Sequence, residues 1–218
     1  MTGRRLILYI IAAFISVFLM CIRRKKYPGV AAWKMAVVII WVAIMGVVSI
    51  KLLYFIENGR YGGDAMFGAV FFMPIFIAPL AVLLKIPYKE IMNLYTPSQT
   101  VEFAVVKIDC YIVDCCMGKY LPSLGIQFPS QIADMIIGIV VTTVLLWIEH
   151  RNPNKHLFPL YMVIFGGARF VVDWFRYVEK PWEWILPPTI IWSLLSVVIG
   201  CIWLVVLRRK QNGIEKQR

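Results

Sequence analysis

Acidic residues and histidine are what this chain has least of. Twelve Asp and Glu stand against twenty-three Lys and Arg, and only two histidines occur in 218 residues. Charged residues of both signs reach 16% while hydrophobic ones make up 61%. So little polar surface cannot clothe a water-soluble globule. His150 and His156 share one short segment with Arg151 and Lys155, which removes histidine as a general base elsewhere in the chain. No Ser/His/Asp arrangement, glycine-rich nucleotide loop or metalloprotease motif is present. Repeats, low-complexity tracts and connections long enough to form a soluble domain are missing as well.

What is there is apolar sequence in stretches near the roughly 20 residues that a bilayer crossing needs. Seven spans are predicted, at about 5–22, 35–56, 65–84, 101–117, 131–148, 157–177 and 187–207. The third and fourth are weak, because Pro74 and Pro79 interrupt one and Lys107 and Asp109 burden the other. Proline is tolerated in a spanning helix where neighbours satisfy the freed carbonyl. The first span follows Arg4 and Arg5 as a signal peptide would, but it lacks a small-residue cleavage site and Arg23 to Lys26 close it. The predicted fold is all-α: a polytopic integral membrane protein, one seven-helix domain over 1–218, with a polar tail from 208 to 218.

The net charge of +11 is unevenly placed. One side of the seven spans collects fourteen Lys and Arg, among them Arg23 to Lys26, Lys85, Lys89, Arg151 and Arg208 to Lys210; the other collects five, Arg4, Arg5, Arg60, Lys119 and Lys180. The positive-inside rule then sets the N-terminus outside and the C-terminus in the cytoplasm. Basic charge distributed this way is a topology signal and a contact for anionic lipid, not a nucleic-acid footprint. On the outer side, Trp174, Tyr177, Trp182 and Trp184 form an expected aromatic anchor.

Arg169, Asp173 and Arg176 lie where a lipid-spanning helix should carry no charge. Their spacing stacks all three on one helical face. Ionisable groups in a membrane are expensive and face a bundle interior or a wet cavity. Lys107, Arg169 and Arg176 against Asp109 and Asp173 leave a net positive constellation in the outer half of the membrane, suited to a phosphate through the planar fork of arginine. Internal salt bridging between helices is the alternative. Cys110, Cys115 and Cys116 stand close by, at spacings of five and one. Adjacent cysteines with no histidine near are a poor zinc set, so no metal is assigned; a disulfide or plain packing is expected. From Gly62 to Ala69 small residues including Gly68 allow close helix approach or a re-entrant turn.

These residues together resemble the prolipoprotein diacylglyceryl transferase family, most strongly over the last 90 residues or so. Phe128-Pro129-Ser130-Gln131-Ile132-Ala133-Asp134 is similar to the family's His-Pro-Ser-Gln-Leu-Tyr-Glu element. The run from Phe165 to Arg176 is similar to its Tyr-Gly-x-x-Arg-x-x-x-Glu-x-x-Arg helix, and Ser193 to Ser196 with Arg208-Arg209 to its closing helix. Lys107 through Gly118 resembles the Gly-Arg-x-Gly-Asn-Phe…Gly signature in its cysteine-rich branch. Lys107 stands there for Arg, Asp109 for Gly and Cys110 for Asn, while Phe67 takes the place of the His in a His-Gly-Gly element.

The resemblance implies transfer of a diacylglyceryl group from phosphatidylglycerol to the lipobox cysteine of a prolipoprotein signal peptide, without a cofactor, in the bacterial plasma membrane. It assigns Arg169, Lys107 and Asp173 to catalysis, and Arg176, Cys110, Gly118, Gly68, Ser130 and Gln131 to substrate binding. Asp64 and Asp109 are the candidate bases for the thiol. A non-catalytic relative that binds anionic lipid or a lipoprotein segment is the second reading, and a small anion transporter the third.

Overall fold

The computed structural model describes residues 3–123, 125–177 and 186–215. Eight helices make up nearly all of it: α1 (Gly3–Arg23), α2 (Ala32–Asn58), α3 (Phe67–Phe71), α4 (Met73–Leu84), α5 (Tyr88–Ile112), α6 (Ser130–Arg151), α7 (Leu157–Trp174) and α8 (Pro188–Glu215). The two strands, β1 (Tyr120–Leu121) and β2 (Ile126–Gln127), are two residues each and pair antiparallel. Five helices (α1, α2, α6, α7 and α8) are long and apolar enough to cross a membrane. Their outward faces carry Phe14, Ile40, Ile136, Val171 and Ile202 in the open, a surface that only hydrocarbon solvates without cost. The expected all-α, multi-pass membrane architecture is therefore present. The aromatic loop with Lys180, Trp182 and Trp184, and the tail residues Lys216 and Arg218, lie outside the described residues.

The two weak spans depart from expectation, each for a physical reason. Between α2 and α3 the chain does not start a helix at 65 but doubles back along α2. The Ala65 amide donates to the Ile50 carbonyl at 3.2 Å, and Lys51 Nζ reaches the Gly63 carbonyl at 3.1 Å and Asp64 at 2.8 Å. Helix then resumes in two pieces joined at Phe72, with Pro74 in the first turn of α4. Proline has no backbone N–H, and at this position a helix start would leave one unbonded anyway. Gly68 makes the re-entry possible: a Cβ there would stand 2.0 Å from the Ser49 carbonyl oxygen of α2.

Where the fourth span is predicted stands a longer and more polar helix, α5, which begins at Tyr88 rather than at 101 and is not among the five. Hydropathy misses its first half because Asn93, Thr96, Ser98, Gln99 and Thr100 are buried. Thr96, Ser98 and Thr100 donate back to the carbonyls of Met92, Leu94 and Pro97, which makes them cheap inside a bundle. Pro97 deprives the Asn93 carbonyl of its helical partner. Arg23 of α1 replaces it, donating through Nη2 at 2.6 Å. The same buried guanidinium bonds the Leu94 carbonyl and grips Glu149 of α6 through Nε at 3.0 Å and Nη2 at 2.5 Å, with Tyr27 and Lys26 on the same carboxylate. Asn93 continues the network to the Leu157 amide at the start of α7. One end of the bundle is thus tied by a single polar knot at the rim richest in Lys and Arg.

The core between the helices is aromatic and aliphatic, with Tyr161, Phe103, Phe158 and Leu145 among its fully buried side chains. It fixes α5, α6 and α7 against one another. Their far ends, away from the Arg23 knot, converge on the charged cluster.

Candidate active site

Each of three helices delivers its charge near an end. α5 brings Lys107 five residues before it stops, α6 brings Asp134 one turn after it starts, and α7 brings Arg169 and Asp173 in its last turns. Arg176 follows two residues past α7, where its backbone bridges to Gly118. Asp134 is wholly buried, and three cations converge on its carboxylate. Lys107 Nζ lies 2.8 Å from Oδ2, Arg176 Nη2 donates to the same oxygen at 2.6 Å, and Arg169 Nη1 takes Oδ1. Asp173 forms the second layer: Arg169 Nη2 approaches Oδ1 at 2.8 Å, and the Ser193 hydroxyl of α8 donates to Oδ2 at 3.2 Å.

Asp134, visible in the sequence as the end of the Phe128-to-Asp134 element but with no role assigned there, changes the charge balance. Lys107, Arg169 and Arg176 now face Asp134 and Asp173, and Asp109, buried on α5 two residues beyond Lys107, brings the formal sum to zero. The expectation of a net positive constellation is corrected accordingly: much of its demand for an anion is met inside the protein. The signal was present, since a carboxylate one turn into an apolar span is as anomalous as an arginine there.

One guanidinium donor of the cluster has no acceptor among the described residues. Arg176 Nε stands 3.6 Å from Asp173 Oδ1, beyond hydrogen-bonding range, and has no hydrogen-bond partner among the described residues. Arg176 is also the most accessible of the three cations, at 14% against 5% and 6% for Arg169 and Lys107. A buried guanidinium N–H without an acceptor costs free energy. An oxyanion at this point would remove that cost.

Beneath the charges lies an aromatic floor. The Phe103 ring sits 5.2 Å from Lys107 Nζ and 5.8 Å from the Arg169 guanidinium carbon, and stacks edge-on to Phe165 at 5.1 Å. Such rings hold cations without neutralising them. Phe67, where the family pattern would place His, packs against Phe165 at 6.0 Å and is buried. It closes the floor and supplies no proton acceptor. Phe103 also lines an apolar cavity of about 180 Å³ between α1, α2 and α5, together with Met20, Val42, Gly46, Met66 and Glu102 among others. Asp64, one candidate base, is at the margin of that cavity, half-exposed and ion-paired with Lys51.

Above the charges the chain forms a small cap. The segment after α5 pairs with β2 on one side and with the end of α7 on the other: the Lys119 amide donates to the Phe175 carbonyl at 2.7 Å and the Tyr177 amide to Met117 at 3.0 Å. Gly118 lies at this crossing, where a Cβ would meet the Phe128 carbonyl oxygen at 2.2 Å. Ser130 and Gln131 open α6 and turn their side chains to the carbonyls of Cys116 and Cys115, the latter at 2.7 Å. A cleft of about 150 Å³ runs beside Gly118, Gln127, Phe128 and Gln131.

The sequence-predicted residues therefore divide. Lys107, Arg169, Asp173 and Arg176 form the cluster, and Gly118, Ser130 and Gln131 build its cap. Cys110 joins the other two cysteines on the cap side. Gly68 is not brought to the charges; it serves the packing of α3 on α2.

A family model described as prolipoprotein diacylglyceryl transferase matches residues 6–206. Among curated proteins, the chain is similar to a phosphatidylglycerol–prolipoprotein diacylglyceryl transferase of Clostridium tetani (strain Massachusetts / E88), at 28% identity over 206 residues, 82% of this chain and 81% of that protein.

Proposed function

Because this chain belongs to the prolipoprotein diacylglyceryl transferase family, we propose that it moves the diacylglyceryl group of phosphatidylglycerol onto the lipobox cysteine of a prolipoprotein signal peptide. The relative's name carries the donor and acceptor classes. In the reaction the cysteine sulfur forms a bond to the glycerol C3 carbon. The C3–O bond to phosphate breaks, glycerol 1-phosphate leaves with the bonding pair, and the thiol proton passes to a base or to water.

The observation that carries this reading is Arg176 Nε, without an acceptor among the described residues, beside Arg169 and Lys107 over an aromatic floor whose Phe103 also lines an apolar cavity. A phosphodiester carrying two acyl chains asks for that combination: donors for the phosphate, and apolar surface for the chain segments next to it. Arg169 and Arg176 hold the phosphate oxygens and stabilise the charge that grows there as the ester bond breaks. Asp134 and Asp173 keep both guanidiniums aimed. Lys107 adds a point charge in place of a second fork. A thiol with an ordinary pKa near 8.5, brought beside three cations, needs little help to ionise; of the two candidate bases, Asp64 is paired with Lys51 away from the cluster, which leaves Asp109, two residues beyond Lys107 on α5, for this role.

Topology follows from the charge rule. With the basic rim at the Arg23 knot in the cytoplasm, the bundle crosses the bacterial plasma membrane seven times. The N-terminus is then outside, the C-terminus inside, and the cluster opens toward the outer leaflet.

A second reading, a lipid-binding relative without transfer activity, is favoured by Phe67 in the place of a histidine and by the close neutralisation of the cations by Asp134. A transfer assay separates them. Purified protein in phosphatidylglycerol nanodiscs is mixed with a lipobox peptide, and mass spectrometry looks for the diacylglyceryl adduct beside an Arg169→Ala control. An adduct lost in the control establishes the transferase. Arg169-dependent lipid binding with no adduct establishes the binder and sinks the transfer step.

A further inference from the structure

Three thiols that the sequence scatters over seven positions converge at the edge of the cap. The Sγ atoms of Cys110, Cys115 and Cys116 all lie within 4.8 Å of one another, and none is in a disulfide. Cys110 occupies the last turn of α5, one turn beyond Lys107 on the same helical face. Neighbouring cysteines in a strand would point to opposite faces. Here Asp114 and Cys116 adopt positive φ, 57° and 58°, and the Cys115 amide folds back to the Cys110 carbonyl at 3.0 Å. The turn therefore brings both adjacent thiols round to the one on the helix. Side chains from α6 hold it there, through Gln131 on the Cys115 carbonyl and Ser130 on the Cys116 carbonyl.

From this convergence we propose that Cys110, Cys115 and Cys116 form a three-coordinate thiolate site for Cu(I). At metal–sulfur bonds of about 2.3 Å, a trigonal ion needs sulfurs about 4.0 Å apart. The observed separations, all within 4.8 Å, are already close to that spacing. All-thiolate donors select soft ions. No histidine or carboxylate completes the group among the described residues. A tetrahedral zinc site lacks its fourth ligand, whereas Cu(I) is content with three. Cu(I) with three thiolates carries two negative charges, and the positive side chains around it are suited to that. Lys107 acts electrostatically on all three cysteines and Arg176 on Cys116. The ion would clip the end of α5 to the turn leading to Gly118, and it stands independently of the transfer reaction.

The test uses the full-length protein in detergent, reduced, with its free thiols counted. Cu(I) is offered in competition with a chromophoric Cu(I) chelator, and the metal withheld from the chelator is measured. The expected result is one equivalent withheld by the native chain and by a Cys21→Ser/Cys201→Ser variant. Affinity should fall at least about tenfold in Cys116→Ser, since even lost outer-shell support costs that much at metal sites. Cys116 is exposed, so its replacement leaves the fold intact. An X-ray absorption spectrum of the loaded protein should show three sulfur neighbours at one distance. A reduced protein that leaves all copper with the chelator overturns the proposal. So does equal retention by Cys116→Ser, or tighter binding of Zn(II) than of Cu(I).

Discussion

Replacing Asp134 by Asn removes one charge and no volume from the point where three helices meet, so its effect is electrostatic. The carboxylate holds Lys107 at 2.8 Å, Arg176 at 2.6 Å and Arg169 in direct contact. At an effective dielectric constant of about 20, a unit pair at this range is worth roughly 6 kcal/mol. Repulsion among the three cations and desolvation of the carboxylate take most of that back. Breaking a buried ion pair from one side, which leaves its partner uncompensated, costs about 3–5 kcal/mol. For a chain of this size each kcal/mol moves Tm by about 2–4 °C, so Asp134→Asn should lower it by roughly 6–20 °C. Asp173→Asn should cost less, because among the described residues Arg169 is the one cation within 3 Å of Asp173. The assay is thermal unfolding of the purified protein in detergent, followed by tryptophan fluorescence. The decisive comparison is the double variant with Lys107→Met, which removes a cation along with the anion. It should recover part of the loss, with a coupling of about 1–3 kcal/mol. A shift under about 2 °C, or strict additivity of the two substitutions, refutes the placing of Asp134 at the centre of the cluster.

Arg169→Lys keeps the charge but cannot reach Asp134 and Asp173 together, so transfer should fall by about a hundredfold or more while folding persists; near-native turnover would remove Arg169 from the site. Gly68→Ala and Gly118→Ala each drive a Cβ into a carbonyl oxygen, at 2.0 Å and 2.2 Å, and should destabilise by about 1–3 kcal/mol, whereas Gly167→Ala, inside α7, meets nothing within 4 Å and should leave the same melts unchanged or slightly raised. Glu149→Gln undoes the knot around Arg23 at the opposite end of the bundle. It should cost stability of the same order as Asp134→Asn yet leave the KM of transfer unchanged, and a raised KM would mean that the two ends communicate.

Sequence alone carried the membrane class, the all-α fold and the family, because each rests on local properties: apolar runs of bilayer length, charge asymmetry across them, and the fixed spacing of Arg169, Asp173 and Arg176 along one helix. The same locality explains what was lost. A hydropathy window cannot see that Thr96 and Thr100 bond back to their own helix and Asn93 to Lys155 and Leu157, so it places the start of α5 too late. Nor can it see that residues 60–66 run back along α2, a course permitted by the missing Cβ at Gly68. Asp134 is separated from Lys107 by 27 positions and from Arg169 by 35, and only the packing of α5, α6 and α7 makes one carboxylate the counter-ion of three cations. The thiol cluster is decided in the same way, by two positive-φ residues that turn adjacent side chains to one side. Charge in a membrane announces itself in the sequence because it is costly. Which charges and thiols meet is settled by the tertiary contacts that offset the cost.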